Sequence, residues 1–173
     1  MRAVFYEKFG GVDVLTFGER PTPKPGKGEV LIRVHAAGVN PIDWKLRDGF
    51  AEGMFSYEFP IIPGWDAAGE IAVLGDDVEG FAVGDPVYTY CRRDLLHWGT
   101  YAEYVPVNAA HIAPKPSKPS MVEAAAIPLV SLTAWQALVT EAGLKAGQTA
   151  LIHAGAGGVG SFAIPIAKHL AQG

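Results

Sequence analysis

The chain has 173 residues, 49% of them hydrophobic and 18% charged, with a net charge of −4. That length allows one good core, or one domain with part of another, and the acidic balance argues against nucleic acid as a main partner. No run approaches the roughly 18 apolar residues of a membrane span, and residues 1–8 lack the apolar stretch of a signal peptide, so no membrane partner and a cytoplasmic location are expected by default.

Residues 3–6 and 14–18 are predicted as an opening pair of strands, and residues 21–28 as a turn-rich connector. Residues 29–36 alternate, with Val30, Ile32 and Val34 on one face. Residues 67–74 and 86–89 are further strands, and Val83-Gly-Asp-Pro86 is a tight turn between them. Residues 98–105 are aromatic and β-branched enough for another strand. So many short strands predict a compact barrel-like or sandwich-like β domain. Cys91, the only cysteine, excludes an intrachain disulfide and any multi-cysteine zinc site. At a strand end it reads as a small packed hydrophobe.

The texture changes near Ser117. Ser120 is an N-cap with Glu123 three residues on, a capping box that opens a helix. Residues 131–142 read as a second helix, with Leu132, Trp135, Leu138 and Val139 at helical spacing. Residues 149–153 are expected to form an apolar strand. It runs into Gly155-Ala-Gly157-Gly-Val-Gly160 and a further helix, in which Pro165 costs roughly 3 kcal/mol and should introduce a kink.

Strand, glycine loop and helix in that order are what a dinucleotide fold uses to hold a pyrophosphate. The first glycine permits the tight turn, the second lets backbone approach the phosphates, and the third lets helix pack closely on strand. The N–H groups at the helix start face the anion. A glycine-rich turn without ligand is the competing reading. The sequence ends 13 residues after Gly160, whereas a βαβ unit takes about 30 residues. The fold class is therefore expected to be α/β, a β-rich domain followed by the truncated beginning of a Rossmann fold. The residue that would separate NADP from NAD falls at or beyond the end.

Six motifs stand in order along the chain. They are Gly38-Val-Asn-Pro-Ile-Asp43, Pro63-Gly-Trp-Asp-Ala-Ala-Gly69, Phe81-Ala-Val-Gly-Asp-Pro-Val87, Gly99-Thr-Tyr-Ala-Glu-Tyr104, Ser131-Leu-Thr-Ala-Trp135 and the glycine loop. Together they make a chain that resembles the medium-chain dehydrogenase/reductase superfamily over essentially its whole length. The resemblance is closest to the zinc-independent quinone oxidoreductase, or zeta-crystallin-like, branch. It implies a GroES-like domain over residues 1–118 and an incomplete Rossmann NAD(P)-binding domain over residues 119–173.

Zinc-dependent members of that superfamily carry Cys after the Gly-Val of the first motif and His-Glu after the Pro-Gly of the second. Here Asn40 and Trp65-Asp66 stand there. Catalytic zinc needs about three thiolate, imidazole or carboxylate ligands, so no metal site is expected. His35, His97, His111, His153 and His169 show no ligand spacing.

The resemblance implies an oxidoreductase in which NADPH, or NADH, delivers hydride to a quinone or an α,β-unsaturated carbonyl, while the protein supplies position and a dry pocket. Gly155, Ala156, Gly157, Gly158, Val159 and Gly160 would line the pyrophosphate. Asn40 would sit beside the nicotinamide, or be an Asx-turn residue before Pro41. Asp43 would reach cofactor or substrate, or cap a helix over residues 44–47, with Lys45 reading as surface charge. Thr133 would approach the nicotinamide, or bond its own helix backbone. Trp44, Tyr90 and Trp98 are candidate pocket walls, and no catalytic acid is assigned. A homo-oligomer is expected. The alternative is a catalytically inert fragment, a GroES-like domain acting only as a structural or self-associating module.

Overall fold

The computed structural model describes residues 1–50 and 52–171. The chain divides into two compact units, Met1–Ala126 and Ile127–Gly173.

In the first unit, β1 (Arg2–Phe5) and β2 (Thr16–Glu19) form the expected antiparallel pair. The main sheet is antiparallel, in the order β8-β3-β5-β6-β9. Its strands are β3 (Glu29–Gly38), β5 (Asp66–Leu74), β6 (Pro86–Tyr90), β8 (Tyr104–Asn108) and β9 (Ile112–Pro114). A short parallel pair joins β4 (Ser56–Tyr57) to β7 (Leu95–Leu96). The alternation read in β3 places Val30 and Ile32 in a core with Ile71, Val87, Val105 and Val107, against which Val34 packs. Cys91 is buried in the same core, and burial pushes its thiol up to about 12. It is a packed hydrophobe rather than a nucleophile.

Two helices belong to the first unit, and the second of them packs on the main sheet. Helix α1 (Pro41–Arg47) follows β3 directly. Helix α2 (Met121–Ala125) opens on the expected capping box, with the Ser120 N–H donating to Glu123 and the Glu123 N–H to Ser120 Oγ. Its Ala124 and Ala125 pack on Ala68 of β5. The strand expected over residues 98–105 begins only at Tyr104. Residues before it bond instead to other segments, Thr100 N–H to Gly64 and Tyr101 N–H to Pro63.

In the second unit, α3 (Pro128–Trp135) is followed by a π-helical turn, Gln136–Glu141, where one regular helix over 131–142 was expected. Helix α4 (Gly158–Ala171) runs unbroken through Pro165. Its small buried residues Gly160, Ala163 and Ala167 recur at helical spacing, and α4 packs on α3. The strand expected over residues 149–153 is not formed. A strand exists by ladder bonds to a neighbour, and among the described residues none pairs with this segment. Leu151 is consequently 84% exposed. The fold class is α/β, a β-rich GroES-like domain followed by part of a Rossmann-like one.

Candidate functional site

The first site grows from the register of two strands. Gly38, the last residue of β3, is the antiparallel partner of Asp66, the first of β5. The chain leaves β3 and turns into α1 through Asn40, which is extended (φ −124°, ψ 154°) and serves as the N-cap. Pro41 takes the first helical position, where a missing N–H costs nothing. The strand register thus sets Asn40 beside Asp66, and its side-chain amide donates to Asp66 Oδ2 at 2.9 Å. Both are buried, at 7% and 1% exposure.

Asp43 sits three residues into the helix. Its Oδ2 accepts the Asn40 backbone N–H at 2.8 Å, which is half of a capping box. The same oxygen accepts the Tyr101 hydroxyl at 2.9 Å. Desolvation raises the Asp43 carboxyl above its ordinary value, while those two donors pull it down. Burial pushes the Tyr101 phenol well up, helped by the Asp43 charge. Asp43 therefore turns inward and holds the backbone of Asn40. The helix starts at Pro41 rather than at residue 44, so its N-cap is Asn40 and Asp43 is the third helical residue, closing the capping box from inside.

Tyr101 reaches Asp43 because its segment is bonded to the Pro63–Gly64 turn. Gly64 is at φ +95°, and a Cβ there would stand 2.3 Å from Thr100 Oγ1. Only glycine permits both the left-handed backbone and that approach. Three of the six motifs therefore meet in one buried polar knot. The roles of Tyr101 and Asp66 were missed in the sequence, where Tyr101 stood only as a motif letter and Asp66 only at a position that zinc-dependent members fill differently. An alternating polar residue inside an apolar strand start, as at Asp66, was the available signal.

Trp65 lies between Phe55 and Tyr90, each ring 5.9 Å away and edge-on. Tyr90 thus belongs to an aromatic row. Trp98 packs with Ala3, Phe5 and Ile62 and lines a cavity of about 610 Å³ that Arg92, Arg93 and His111 also line. Trp44 is half exposed, with the Lys45 ammonium 5.7 Å from its ring centroid. Among the described residues no three His, Cys, Asp or Glu side chains are grouped to hold a metal ion.

The second site is the glycine loop at the head of α4. Ala154 is at φ 53°, and the Gly157 N–H returns to the Ala154 carbonyl at 2.9 Å. A Cβ on Gly160 would lie 2.3 Å from that carbonyl oxygen and 2.7 Å from the Gly155 Cα. The loop is therefore drawn tightly over the start of α4, which only glycine at position 160 allows. The first N–H groups of a helix have no partner within it, and α4 is 14 residues long, so this turn presents donors suited to an anion. Val159 is partly exposed. Thr133 lies in α3 and donates its hydroxyl to the Leu129 carbonyl at 2.8 Å. Its oxygen keeps acceptor capacity, but its proton is used by its own helix.

Residues 26–117 match the alcohol dehydrogenase GroES-like domain family. Quinone-oxidoreductase QR1 of Triphysaria versicolor is 39% identical, across 97% of this chain and 52% of that protein. The NADPH-dependent alkenal/one oxidoreductase of Arabidopsis thaliana is 39% identical, across 98% of this chain and 45% of that protein. The solved quinone oxidoreductase of Coxiella burnetii superimposes with a TM-score of 0.87 at 40% identity, covering 99% of this chain and 54% of that one. The chain belongs to the alcohol dehydrogenase GroES-like domain family. Within it, the relatives are quinone and alkenal/one oxidoreductases of the medium-chain dehydrogenase/reductase superfamily, and the chain spans about half the length of the curated relatives it matches.

Proposed function

We propose that this chain is the N-terminal part of an NADPH-dependent reductase that passes hydride to a quinone or an α,β-unsaturated carbonyl without zinc. NADH is the lesser alternative as cofactor. The observation that carries the reading is the glycine turn. Its glycines leave no room for a Cβ at position 160, and it stands at the head of a long helix, the arrangement suited to a pyrophosphate. The relatives named for quinones and for alkenals supply the substrate class.

In this reading Gly155, Ala156, Gly157, Gly158, Val159 and Gly160 line the pyrophosphate, with the unbonded N–H groups at the start of α4 as its donors. Asn40 offers its amide beside the nicotinamide, held in place by Asp43 and Asp66. Thr133 accepts a hydrogen bond through its hydroxyl oxygen. When bound, the cofactor supplies the hydride. The residues at the expected zinc positions are an amide, an indole and one carboxylate, a poor ligand set, so the proposed chemistry runs without metal. The proposed domain division is a GroES-like domain over residues 1–118 and the start of a Rossmann domain over 119–173.

A second reading is favoured by Leu151 and Ile164, apolar and exposed at 84% and 48%, and by residues 149–153, which pair with no strand among the described residues. It makes the 173-residue chain inert alone and prone to self-association, since an unpaired edge invites partners. No helix among the described residues is long and apolar enough to cross a membrane. A cytoplasmic location is part of the proposal, and fractionation checks it, because QR1 is by name chloroplastic.

Calorimetric titration with NADPH, paired with a quinone-dependent oxidation assay, tests both readings. A cradle alone offers charge-assisted bonds worth about 1.5–3 kcal/mol each, against an association cost of about 4–15 kcal/mol. The 173-residue chain is therefore expected to show no turnover. Tight NADPH binding with turnover by this chain would refute its inertness, and a longer parent that ignores both quinones and enones would refute the activity.

A further inference from the structure

A chamber of about 10 Å³ lies in the first unit, with Asp43, Tyr6, Ile62 and Trp65 among its walls. That is close to the smallest volume that admits one water molecule. Asp43 is 5% exposed. Its Oδ2 is occupied by the Asn40 N–H and the Tyr101 hydroxyl. Its Oδ1 is fully buried and, among the described residues, meets no donor. Buried carboxyl oxygens are nearly always satisfied by protein or by ordered water. The chamber also shares four wall residues, Arg93, Leu95, His97 and Trp98, with the 610 Å³ cavity. Those side chains are the partition between the buried carboxyl and a space that opens to solvent.

We propose that this chamber is a water site, in which one water molecule donates to Oδ1 of Asp43 and passes protons between that carboxyl and the larger cavity. When Asp43 takes up a proton, the water gives one to Oδ1 and receives one from solvent, and no electrons move. The groups around the carboxyl fit a protonation site better than a fixed anion. Arg47 on the same helix and Arg93 in the partition are the cations on its side. Arg47 is held by Asp48 and the Gly10 carbonyl, and Arg93 by Glu29 and the Pro106 carbonyl. Tyr6 and Tyr101 are neutral phenols raised by burial. His97 gives its Nδ1 to the Glu58 carbonyl. Asp66, joined through Asn40, is a second carboxylate. None of these neutralises Asp43 directly, which agrees with desolvation raising it. The site stands independently of the proposed reductase activity.

The test uses the 173-residue chain. A crystal structure fine enough to order solvent should show a water within hydrogen-bond distance of Oδ1, and a dry chamber overturns the proposal. The Asn40 amide, bonded to Asp43, reports its ionisation in an ¹⁵N NMR titration. Its shift should move with a midpoint above the ordinary aspartate value of about 3.9, and the movement should vanish in Asp43→Asn. A pH-invariant amide, or a midpoint at or below the ordinary value, overturns the protonation role. Tyr101→Phe removes one donor from Oδ2 and should raise the midpoint. It also serves if Asp43→Asn fails to fold, and an unchanged midpoint counts against the proposal.

Discussion

The side-chain amide of Asn40 donates to Asp66 across 2.9 Å, joining two positions where zinc-dependent members of the superfamily keep a cysteine and an acid. Register makes the contact, since Gly38 and Asp66 are strand partners. Asn40→Ala takes a donor from a carboxylate that is 1% exposed. Loss of a hydrogen bond to a buried charged group costs about 1.5–3 kcal/mol. Urea unfolding should show the midpoint falling with the slope unchanged; an unaltered midpoint would mean that the contact contributes nothing.

The same pair bears on metal. An amide and a carboxylate bonded to each other, with an indole next in sequence, lack the thiolate and imidazole that hold zinc. Elemental analysis of the purified chain should find zinc far below one atom per molecule, even after growth with added zinc. One tightly held zinc per chain would require the knot to open, and would remove the argument.

Asp43 gives the stability a pH dependence of definite sign. Burial raises its folded value above the unfolded one, so between the two values the folded state holds more protons. Stability then falls as pH climbs through that window, which begins near the ordinary aspartate value of about 3.9. Asp43→Asn keeps an oxygen for both donors and cannot ionise. Relative to the wild type it should gain stability as pH rises from the ordinary aspartate value to the raised folded value, and level off above it. A wild-type-to-variant difference that stays flat across that range would contradict the assignment. Glu123 is exposed and Glu70 and Glu103 are partly exposed, and all three are lowered by their donors. Their contribution runs the other way and is lost on acidification.

Much of this arrangement was legible in the sequence, for local reasons. The alternation of Val30, Ile32 and Val34 and the Ser120–Glu123 capping box are short-range patterns, and each formed as read. The glycine loop likewise lies just before a helix. What failed depended on partners distant in the chain. Residues 149–153 have strand composition, yet a strand needs a neighbour to bond to. Residues 98–103 have β composition, but their N–H groups go to Pro63 and Gly64. Asp43 was left between cofactor and cap because nothing in its own motif announces Tyr101, 58 residues away. Thr133 was left between cofactor and its own backbone, and the 2.8 Å bond to Leu129 shows the second use without excluding the first.

Ser120 supports a helix of only five residues, Met121–Ala125. So short a helix cannot hold itself together, and its cap carries unusual weight. Ser120→Ala removes the acceptor for the Glu123 N–H and should cost about 0.5–2 kcal/mol. Because Ala124 and Ala125 pack on Ala68, the loss should appear in the unfolding of the first unit. Amide exchange should quicken at Glu123 and Ala124 before it changes in β3. Uniform exchange with unchanged stability would show that packing alone holds α2.

Gly160 provides the sharpest test of the loop. A Cβ there would stand 2.3 Å from the Ala154 carbonyl oxygen, 2.7 Å from the Gly155 Cα and 2.9 Å from its carbonyl carbon. All three are backbone atoms, so no side chain can rotate away. Gly160→Ala must push the turn off the start of α4, and overpacking of this kind costs about 1–3 kcal/mol. Gly155→Ala is the matched control. Its Cβ would meet only the Cδ1 of Ile164, at 3.0 Å, the mobile end of a side chain that is 48% exposed. Both changes add one methyl group to the same loop, and alanine favours helix over glycine by about 1 kcal/mol, which would stabilise position 160 if space were free. Thermal unfolding should therefore rank wild type and Gly155→Ala close together and Gly160→Ala well below. If Gly160→Ala is as stable as the wild type, the close approach of loop to helix is wrong, and with it the cradle on which pyrophosphate binding is proposed.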